Sequence, residues 1–205
     1  VKKVIKDGVI GKIFRLESRF ERFRKEINPG SWRENQDASE GGGILLDLQP
    51  HLLSTALDWF GPAELVSSSI NSIRGGVDDD SVLVLKHASG VDSYLSGSAI
   101  VGSPGPRIRL IGDKGALIIS DLDPQEAILR SGVYPKGGVW EQSTKSKAFI
   151  HRGDEVTEYE SVNGNYAQFY TQVKEALSGG SWPVTTDEAL SVAKIIDLAR
   201  LNSIR

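Results

Sequence analysis

The spacing of apolar residues changes along the chain, and each change predicts a different element. Residues 2–10 have helical spacing, which predicts the last turns of a helix that begins before this sequence. Residues 12–23 alternate apolar and polar positions, which predicts one long strand containing a bulge. Residues 44–60 carry apolar side chains every three or four positions up to Gly61-Pro62. This pattern predicts the strongest helix of the chain, ending at the glycine and proline.

A second kind of pattern fills the middle of the chain. Residues 64–119 are short alternating segments rich in β-branched side chains and separated by Gly or Asp turns, which predicts strands joined as antiparallel hairpins. Residues 124–155 hold few periodic signals, and no element is predicted there. Residues 164–178 and 186–201 read as amphipathic helices. The candidates to cap the second helix are Thr185, Thr186 and Asp187.

This order of elements predicts an α+β fold, a mostly antiparallel open sheet with helices packed on one face. The helices suffice for one face only, so the other face is expected to be used for oligomerisation. We therefore expect a homodimer or a homotetramer.

Composition excludes several classes of function. The formal net charge is −3 and the basic residues are scattered, so we expect no nucleic-acid partner. No apolar run is long enough to span a bilayer, so we expect no membrane partner. The chain has no Cys, which excludes disulfides and thiolate metal sites and fits a cytoplasmic location. It also has no Met, even at position 1, so we expect a fragment or a sequence with residues left out.

The stretch GGGILLDLQPHLL, residues 41–53, holds the strongest candidate for chemistry. Asp47 and His51 are four residues apart, so on a helix their side chains share one face. An imidazole beside a carboxylate suits proton transfer near neutral pH. The alternative is structural: Asp47 caps the helix and His51 is a hydrogen-bonded interior group. The three glycines either allow close approach to a ligand or a neighbouring domain, or form a flexible loop.

The other two histidines carry less information. His87 lies near a hairpin turn and His151 beside Arg152, and both are expected at the surface. No two histidines have the spacing of metal ligands, so we expect no metal site. The chain also lacks a G-x-S-x-G elbow, a P-loop and a G-x-G-x-x-G fingerprint.

Several separated motifs, in order, resemble one family. GGGILLDLQPHLL followed by ALDWFG resembles the opening helix of the C-terminal domain in the Gfo/Idh/MocA family of NAD(P)-dependent oxidoreductases. VIKDGVIGKIFRLESRFERFR resembles the strand entering that domain, and SWREN resembles its Trp-Arg segment. LIGDKGALIISDLDPQEAILRSGVYP resembles a subgroup containing scyllo-inositol dehydrogenases, and NGNYAQFYTQVKEALSGGSWPVTTDEAL resembles the closing helices.

The resemblance implies a domain assignment and an activity. Residues 1–205 would form a single C-terminal substrate-binding and dimerisation domain, without the Rossmann domain that carries the main NAD or NADP contacts. The full-length protein would transfer a hydride between NAD(P) and a hydroxyl of a sugar or an inositol-like polyol. The isolated chain would be inactive. The alternative is a non-catalytic sensor or scaffold domain with the same fold.

The resemblance also assigns roles to residues. His51 matches the acid/base that removes the hydroxyl proton, and Asp47 matches the carboxylate that binds the hydroxyl and assists the imidazole. Gln49 and Ser54 depart from the family pattern, which has a glycine and often an acid there. The substrate-binding candidates are Trp32, Arg33 and Gln49. The candidates near the nicotinamide are Gly42 and Gly43.

Overall fold

The computed structural model describes residues 1–121, 124–134, 147–162 and 164–203. These residues build one eight-stranded sheet with the order β2-β3-β4-β1-β5-β6-β7-β8. The strands are β1 (Ile13–Glu21), β2 (Ala63–Asn71), β3 (Asp80–His87), β4 (Asp92–Ser98), β5 (Ile108–Gly112), β6 (Gly115–Ile119), β7 (Ala148–Arg152) and β8 (Glu155–Tyr159). All neighbours pair antiparallel except β1 and β4, which are parallel. The predicted α+β fold with a mostly antiparallel sheet is confirmed.

Seven α-helices occur in the described ranges. They are α1 (Lys2–Lys6), α2 (Trp32–Asn35), α3 (Ile44–Asp47), α4 (Gln49–Phe60), α5 (Gln125–Arg130), α6 (Tyr166–Leu177) and α7 (Thr186–Ser203), with a 3-10 turn at Ala38–Glu40. None of these helices is long and apolar enough to cross a bilayer. Thr185 is the residue that caps α7: its hydroxyl accepts from the Glu188 amide at 3.2 Å, while the Glu188 carboxylate accepts from the Thr185 amide at 2.7 Å. This reciprocal pair is a capping box.

The core lies between the sheet and helices α3, α4 and α7. Along β3 every second residue is buried, and Leu83 and Leu85 point towards the helices together with Leu95 of β4. Helix α4 contributes a buried face to the same cluster, and α7 packs along β2. The alternate buried side chains of the strands thus pack against the apolar face of the helices, as the sequence pattern predicts.

The helix predicted over residues 44–60 is divided in two. Helix α3 ends at Asp47 and α4 begins at Gln49, with Leu48 at φ −111° and ψ −35° between them. Pro50 explains the division, because it has no amide hydrogen to donate to Leu46, and its ring clashes with that carbonyl. The interruption rotates the side chains that follow it relative to those before it.

Two further features differ from expectation. Strands β7 and β8 form a hairpin around Gly153 in a region where no element is predicted. His87, expected at the surface, is only 2% exposed. Its Nδ1 lies 2.8 Å from the Gly61 carbonyl oxygen, and its Nε2 lies 2.8 Å from the Ser93 hydroxyl. The surface prediction for His87 is therefore wrong, because an imidazole with both nitrogens hydrogen-bonded can be buried at the end of a strand.

Candidate functional site

A cleft of about 820 Å³ opens at the N-terminal end of α4. The end of β1, the loop before α3, the starts of α3 and α4, and helix α5 form its walls. Arg33, Gly43, Asp47 and His51 line it, so four of the residues singled out from the sequence meet in one cavity. Such a concave site with a few convergent polar groups is the usual form of a small-molecule site.

Asp47 is held by two arginines. The Arg33 Nε donates to the Asp47 carboxylate at 2.8 Å, and an Arg22 Nη lies 3.6 Å from its other oxygen. The helix-capping role considered for Asp47 is filled by Asp78, whose carboxylate accepts from the Leu45 amide at 2.6 Å. Asp47 thus joins the two walls of the cleft.

His51 lies in the first turn of α4 and is exposed to the cleft. Its ring centroid is 6.1 Å from that of Phe20, at the end of β1. The exposure of the imidazole excludes the alternative of a hydrogen-bonded interior histidine. A cleft-facing imidazole can exchange protons with a bound molecule and with solvent.

The glycine run approaches the chain itself. A Cβ on Gly42 would lie 1.8 Å from the Gln36 carbonyl oxygen. Gly43 has φ +98°, and a Cβ there would lie 2.0 Å from the Asp78 carboxylate. Gly43 also lines the cleft, whereas Gly42 is not among the residues that line it. The close approach predicted from the glycines is therefore made to the loop before α3 and to Asp78.

Two adjacent carboxylates fix the loop between β2 and β3 against this region. Burial raises the pKa of Asp78, despite the hydrogen bond from the Leu45 amide. Burial also acts to raise the pKa of Asp79, but hydrogen bonds from the amides of Ile73 and Arg74 and from the Arg74 guanidinium lower it overall. Asp79 is thus a structural anion, while Asp78 holds the start of α3 in place.

Trp32 and Gln49 lie outside the cleft. Trp32 is half exposed, and the Arg33 guanidinium stacks 4.4 Å from its ring centroid, so Trp32 supports Arg33. Gln49 is fully buried, and its amide nitrogen donates to the Ser81 and Leu95 carbonyl oxygens at 3.1 and 3.3 Å. The predicted substrate contact of Gln49 does not occur in this geometry. The interruption at Leu48 places Gln49 on the core side of α4.

Sequence analysis missed the arginines of the cleft. They are Arg22, Arg24, Arg74, Arg107 and Arg130. A signal existed for the first two, because they continue the alternation of β1 beyond its last residue. Arg107 directly precedes β5, and only pairing beside β1 brings it to the cleft: the Arg19 amide donates to the Arg107 carbonyl oxygen at 2.9 Å.

Gly42 and Gly43 do not form a binding site for the pyrophosphate of a dinucleotide. The space beside Gly42 and Gly43 is filled by Gln36 and Asp78, so these glycines leave no open cradle for a pyrophosphate. The chain also has no glycine-rich fingerprint between a strand and a helix. Within the described ranges, no three His, Asp or Glu side chains are arranged to hold a metal ion.

Comparisons with known proteins agree with this architecture. The model of the GFO/IDH/MocA C-terminal domain matches residues 1–118. The scyllo-inositol 2-dehydrogenase (NADP(+)) IolW of Bacillus subtilis is 30% identical over 99% of this chain and 58% of its own length. A solved structure from Klebsiella pneumoniae, assigned as an oxidoreductase, superposes with a TM-score of 0.86 at 30% identity, over 99% of this chain and 57% of that one.

A more distant structure shares the fold alone. KijD10, a 3-ketoreductase from Actinomadura kijaniata in complex with TDP-benzene and NADP, has a TM-score of 0.73 at 17% identity, over 98% of this chain and 56% of that one. The chain thus spans a little under three fifths of the length of the relatives that it matches. The matched model, the similar oxidoreductases and the sheet with its helical face together show that this chain belongs to the GFO/IDH/MocA family and corresponds to its C-terminal domain.

Proposed function

We propose that this chain is the substrate-binding part of an NAD(P)-dependent oxidoreductase that acts on a hydroxyl of a sugar or polyol. One observation carries the proposal: Asp47 and His51 line the same cleft, and Arg33 fixes the carboxylate at 2.8 Å. The 30% identity to scyllo-inositol 2-dehydrogenase supports an inositol-like polyol as the substrate class.

In this proposal His51 moves the proton. A ring nitrogen accepts the proton of the substrate hydroxyl as the carbon is oxidised, and returns it in the reverse reaction. The imidazole is exposed, so it can pass the proton to solvent through the mouth of the cleft. The Phe20 ring beside it offers an apolar surface for the face of the sugar that presents C–H groups.

Asp47 and Arg33 orient the substrate. The oxygen of Asp47 that faces away from Arg33 can accept a hydrogen bond from a second hydroxyl, while Arg33 keeps the carboxylate in place. NAD(P), which we propose to be held outside this chain, would take up the hydride. The isolated chain is accordingly proposed to have no dehydrogenase activity, because His51 moves protons only.

The proposal also includes the setting of the protein. We propose that it acts in the cytoplasm and that copies of the chain associate through the sheet face not covered by α3, α4 and α7. The absence of Cys fits the first of these and the exposed aromatic side chains of that face support the second.

The test is the substitution His51→Ala in the parent polypeptide that joins this chain to its NAD(P)-binding part. Because loss of a general acid/base typically reduces the rate by ~100- to 10,000-fold, we expect kcat to fall within that range. Affinity for NAD(P) should stay unchanged. Steady-state kinetics with scyllo-inositol and with neutral, carboxylated and phosphorylated sugars and polyols, combined with cofactor titration, measure both quantities.

His151→Ala is the matched control, because His151 lies on β7 and does not line the cleft. It should retain turnover. If His51→Ala turns over substrate at the unmodified rate, the acid/base assignment is wrong. If neither protein oxidises a sugar or polyol, the substrate class fails.

A further inference from the structure

Three basic groups surround the ring of Phe20. The Arg107 guanidinium lies 4.1 Å from the ring centroid and the Arg22 guanidinium 5.3 Å, while the His51 ring is 6.1 Å away. All four side chains line the cleft. The two guanidinium groups therefore lie around the same phenyl ring as the imidazole that the proposed function makes the acid/base.

The arginines of the cleft differ in whether a carboxylate pairs with them. Three are matched at ion-pair distance: Arg33 with Asp47 at 2.8 Å, Arg74 with Glu34 at 3.1 Å, and Arg130 with Glu126 at 2.6 Å. Arg107 has no carboxylate at ion-pair distance among the described residues, although Asp121 also lines the cleft. Arg22 has only a 3.6 Å contact with Asp47, which already binds Arg33.

These two cations are also partly removed from water. Burial lowers the pKa of Arg107 to about 10. Burial and then the neighbouring charge of Arg24 lower the pKa of Arg22, although Asp47 and two further carboxylates act in the opposite direction. The Nε of Arg22 is buried and has no hydrogen-bond partner among the described residues. A partly desolvated guanidinium whose charge is incompletely matched among the described residues is unfavourable, and a bound anion would offset that cost.

The side-chain hydrogen bond that Arg107 makes among the described residues does not compensate its charge. One Nη donates to the carbonyl oxygen of Arg19, a neutral acceptor on β1. This bond and the Phe20 ring fix the guanidinium plane in the cleft wall. A fixed guanidinium fork matches the two oxygens of a carboxylate or phosphoryl group.

We infer that the substrate carries an oxyanion, a carboxylate or a phosphoryl group, which Arg22 and Arg107 bind beside Phe20 while its reacting hydroxyl faces His51. This inference rests on the proposed function and narrows its substrate class to an acidic or phosphorylated sugar or polyol. Arg24, exposed at the rim, adds attraction for the incoming anion.

The test uses calorimetric titration of this chain with three matched probes at constant ionic strength: glucose 6-phosphate, glucuronate and glucose. We expect at least one anionic probe to bind ~10-fold or more tightly than glucose, since a charge-assisted hydrogen bond contributes that much. The tighter of the two anions identifies the phosphoryl or the carboxylate as the group bound.

Substitutions assign the binding to the two arginines. Arg107→Gln and Arg22→Gln should each lower the affinity for the anionic probe by about tenfold and leave the affinity for glucose unchanged. Arg107→Lys, which keeps the charge without the fork, should lose part of that affinity. Arg109→Gln is the matched control, because Arg109 pairs with Glu17 at 2.7 Å and does not line the cleft.

Three results would overturn the inference: glucose binding as tightly as both anions, anion affinity that survives both glutamine variants, or no binding of any probe. His51→Ala separates this inference from the proposed function. It should lower kcat of the parent polypeptide while the anionic probe still binds this chain more tightly than glucose does, because the preference for the anion depends on Arg22 and Arg107. If anionic probes bind no more tightly than glucose, but turnover still depends on His51, the anion site is wrong and the proposed function stands.

Discussion

Among single residues, His87 has the environment that most clearly makes stability depend on pH. Its imidazole is buried, its Nδ1–H donates to the Gly61 carbonyl oxygen, and its Nε2 accepts from the Ser93 hydroxyl. Burial lowers the pKa of His87, although the Gly61 carbonyl and Asp92 oppose this. The folded chain therefore holds the neutral imidazole at a pH where the unfolded chain already binds a proton.

We expect the free energy of unfolding to fall as the pH drops below about 6.5, the ordinary pKa of histidine. Above that pH neither state binds the proton, so this contribution is constant. Below it the unfolded state gains the proton first, with a slope of at most ~1.4 kcal/mol per pH unit. Urea unfolding at a series of pH values between 5 and 8 measures this slope.

The variant His87→Gln should lose most of the slope, because glutamine does not titrate. His151→Ala, on the partly exposed face of β7, should keep it. A slope equal to the unmodified value in His87→Gln would assign the pH dependence to other groups.

At this scale, sequence spacing predicted part of the site. Asp47 and His51 reach the cleft because both positions face away from the core on either side of Leu48. Gln49 was misplaced because the interruption before Pro50 turns it into the core. Arg22 and Arg107 could not be paired from the sequence, because only the contact of β1 with the start of β5 brings them to one phenyl ring.

At the scale of elements, the start of α3 depends on the glycine run. Gly42 has no room for a side chain, since a Cβ would meet the backbone oxygen of Gln36. A methyl group there must move the loop, and overpacking of this kind costs about 1–3 kcal/mol. We therefore expect Gly42→Ala to lower the free energy of unfolding by about that amount, measured by chemical denaturation.

Gly30→Ala is the comparison for this variant, because its Cβ would have only the Asn28 side chain nearby, at 3.5 Å. It should change stability little. Equal stability for Gly42→Ala and the unmodified chain would show that the loop before α3 adjusts to a side chain without cost. The close approach to Gln36 would then not explain the glycine at position 42.

The elements themselves were predictable where their signals were long. Helix α7 carries a capping box and many turns, and its extent follows from those signals. The hairpin of β7 and β8 was missed, because five-residue strands give few periods to count. The Gly153-Asp154 pair between them was the available turn signal.

At the scale of the whole molecule, the face of the sheet away from α4 is the surface that we propose for association with a second copy. Arg15 stacks between the exposed rings of Phe14 and Tyr94, at 5.9 and 5.5 Å from their centroids. Beside them Glu17 pairs with Arg109 on the neighbouring strand. Exposed aromatic side chains are enriched at the cores of protein interfaces.

We expect light scattering at micromolar concentration to give at least the mass of a dimer, with an interface above ~1,000 Å². Tyr94→Asp should shift the mass towards the monomer, because it places a charge in the centre of the contact. Tyr170→Asp, an exposed tyrosine on α6, is the matched control and should not. A monomeric unmodified chain would contradict the prediction.

The sheet as a whole shows where local patterns stop being informative. Alternation within residues 64–119 predicted the strands and their hairpins, because those partners are adjacent in sequence. It did not predict that β1 inserts between β4 and β5, pairing Arg15 with Asp92 in parallel and Glu17 with Arg109 in antiparallel register. Such pairings depend on the packing of the complete molecule.

The central position of β1 has a consequence for biosynthesis. Ribosomes make β1 before either of its neighbours, so this strand must wait for β4 and β5 while its backbone hydrogen-bonding groups are unpaired. During that wait it carries Leu16 and Phe20 without the partners that cover them. Unpaired apolar strands are the usual starting points of aggregation, so nascent chains of this protein should need a chaperone most strongly until β5 has emerged.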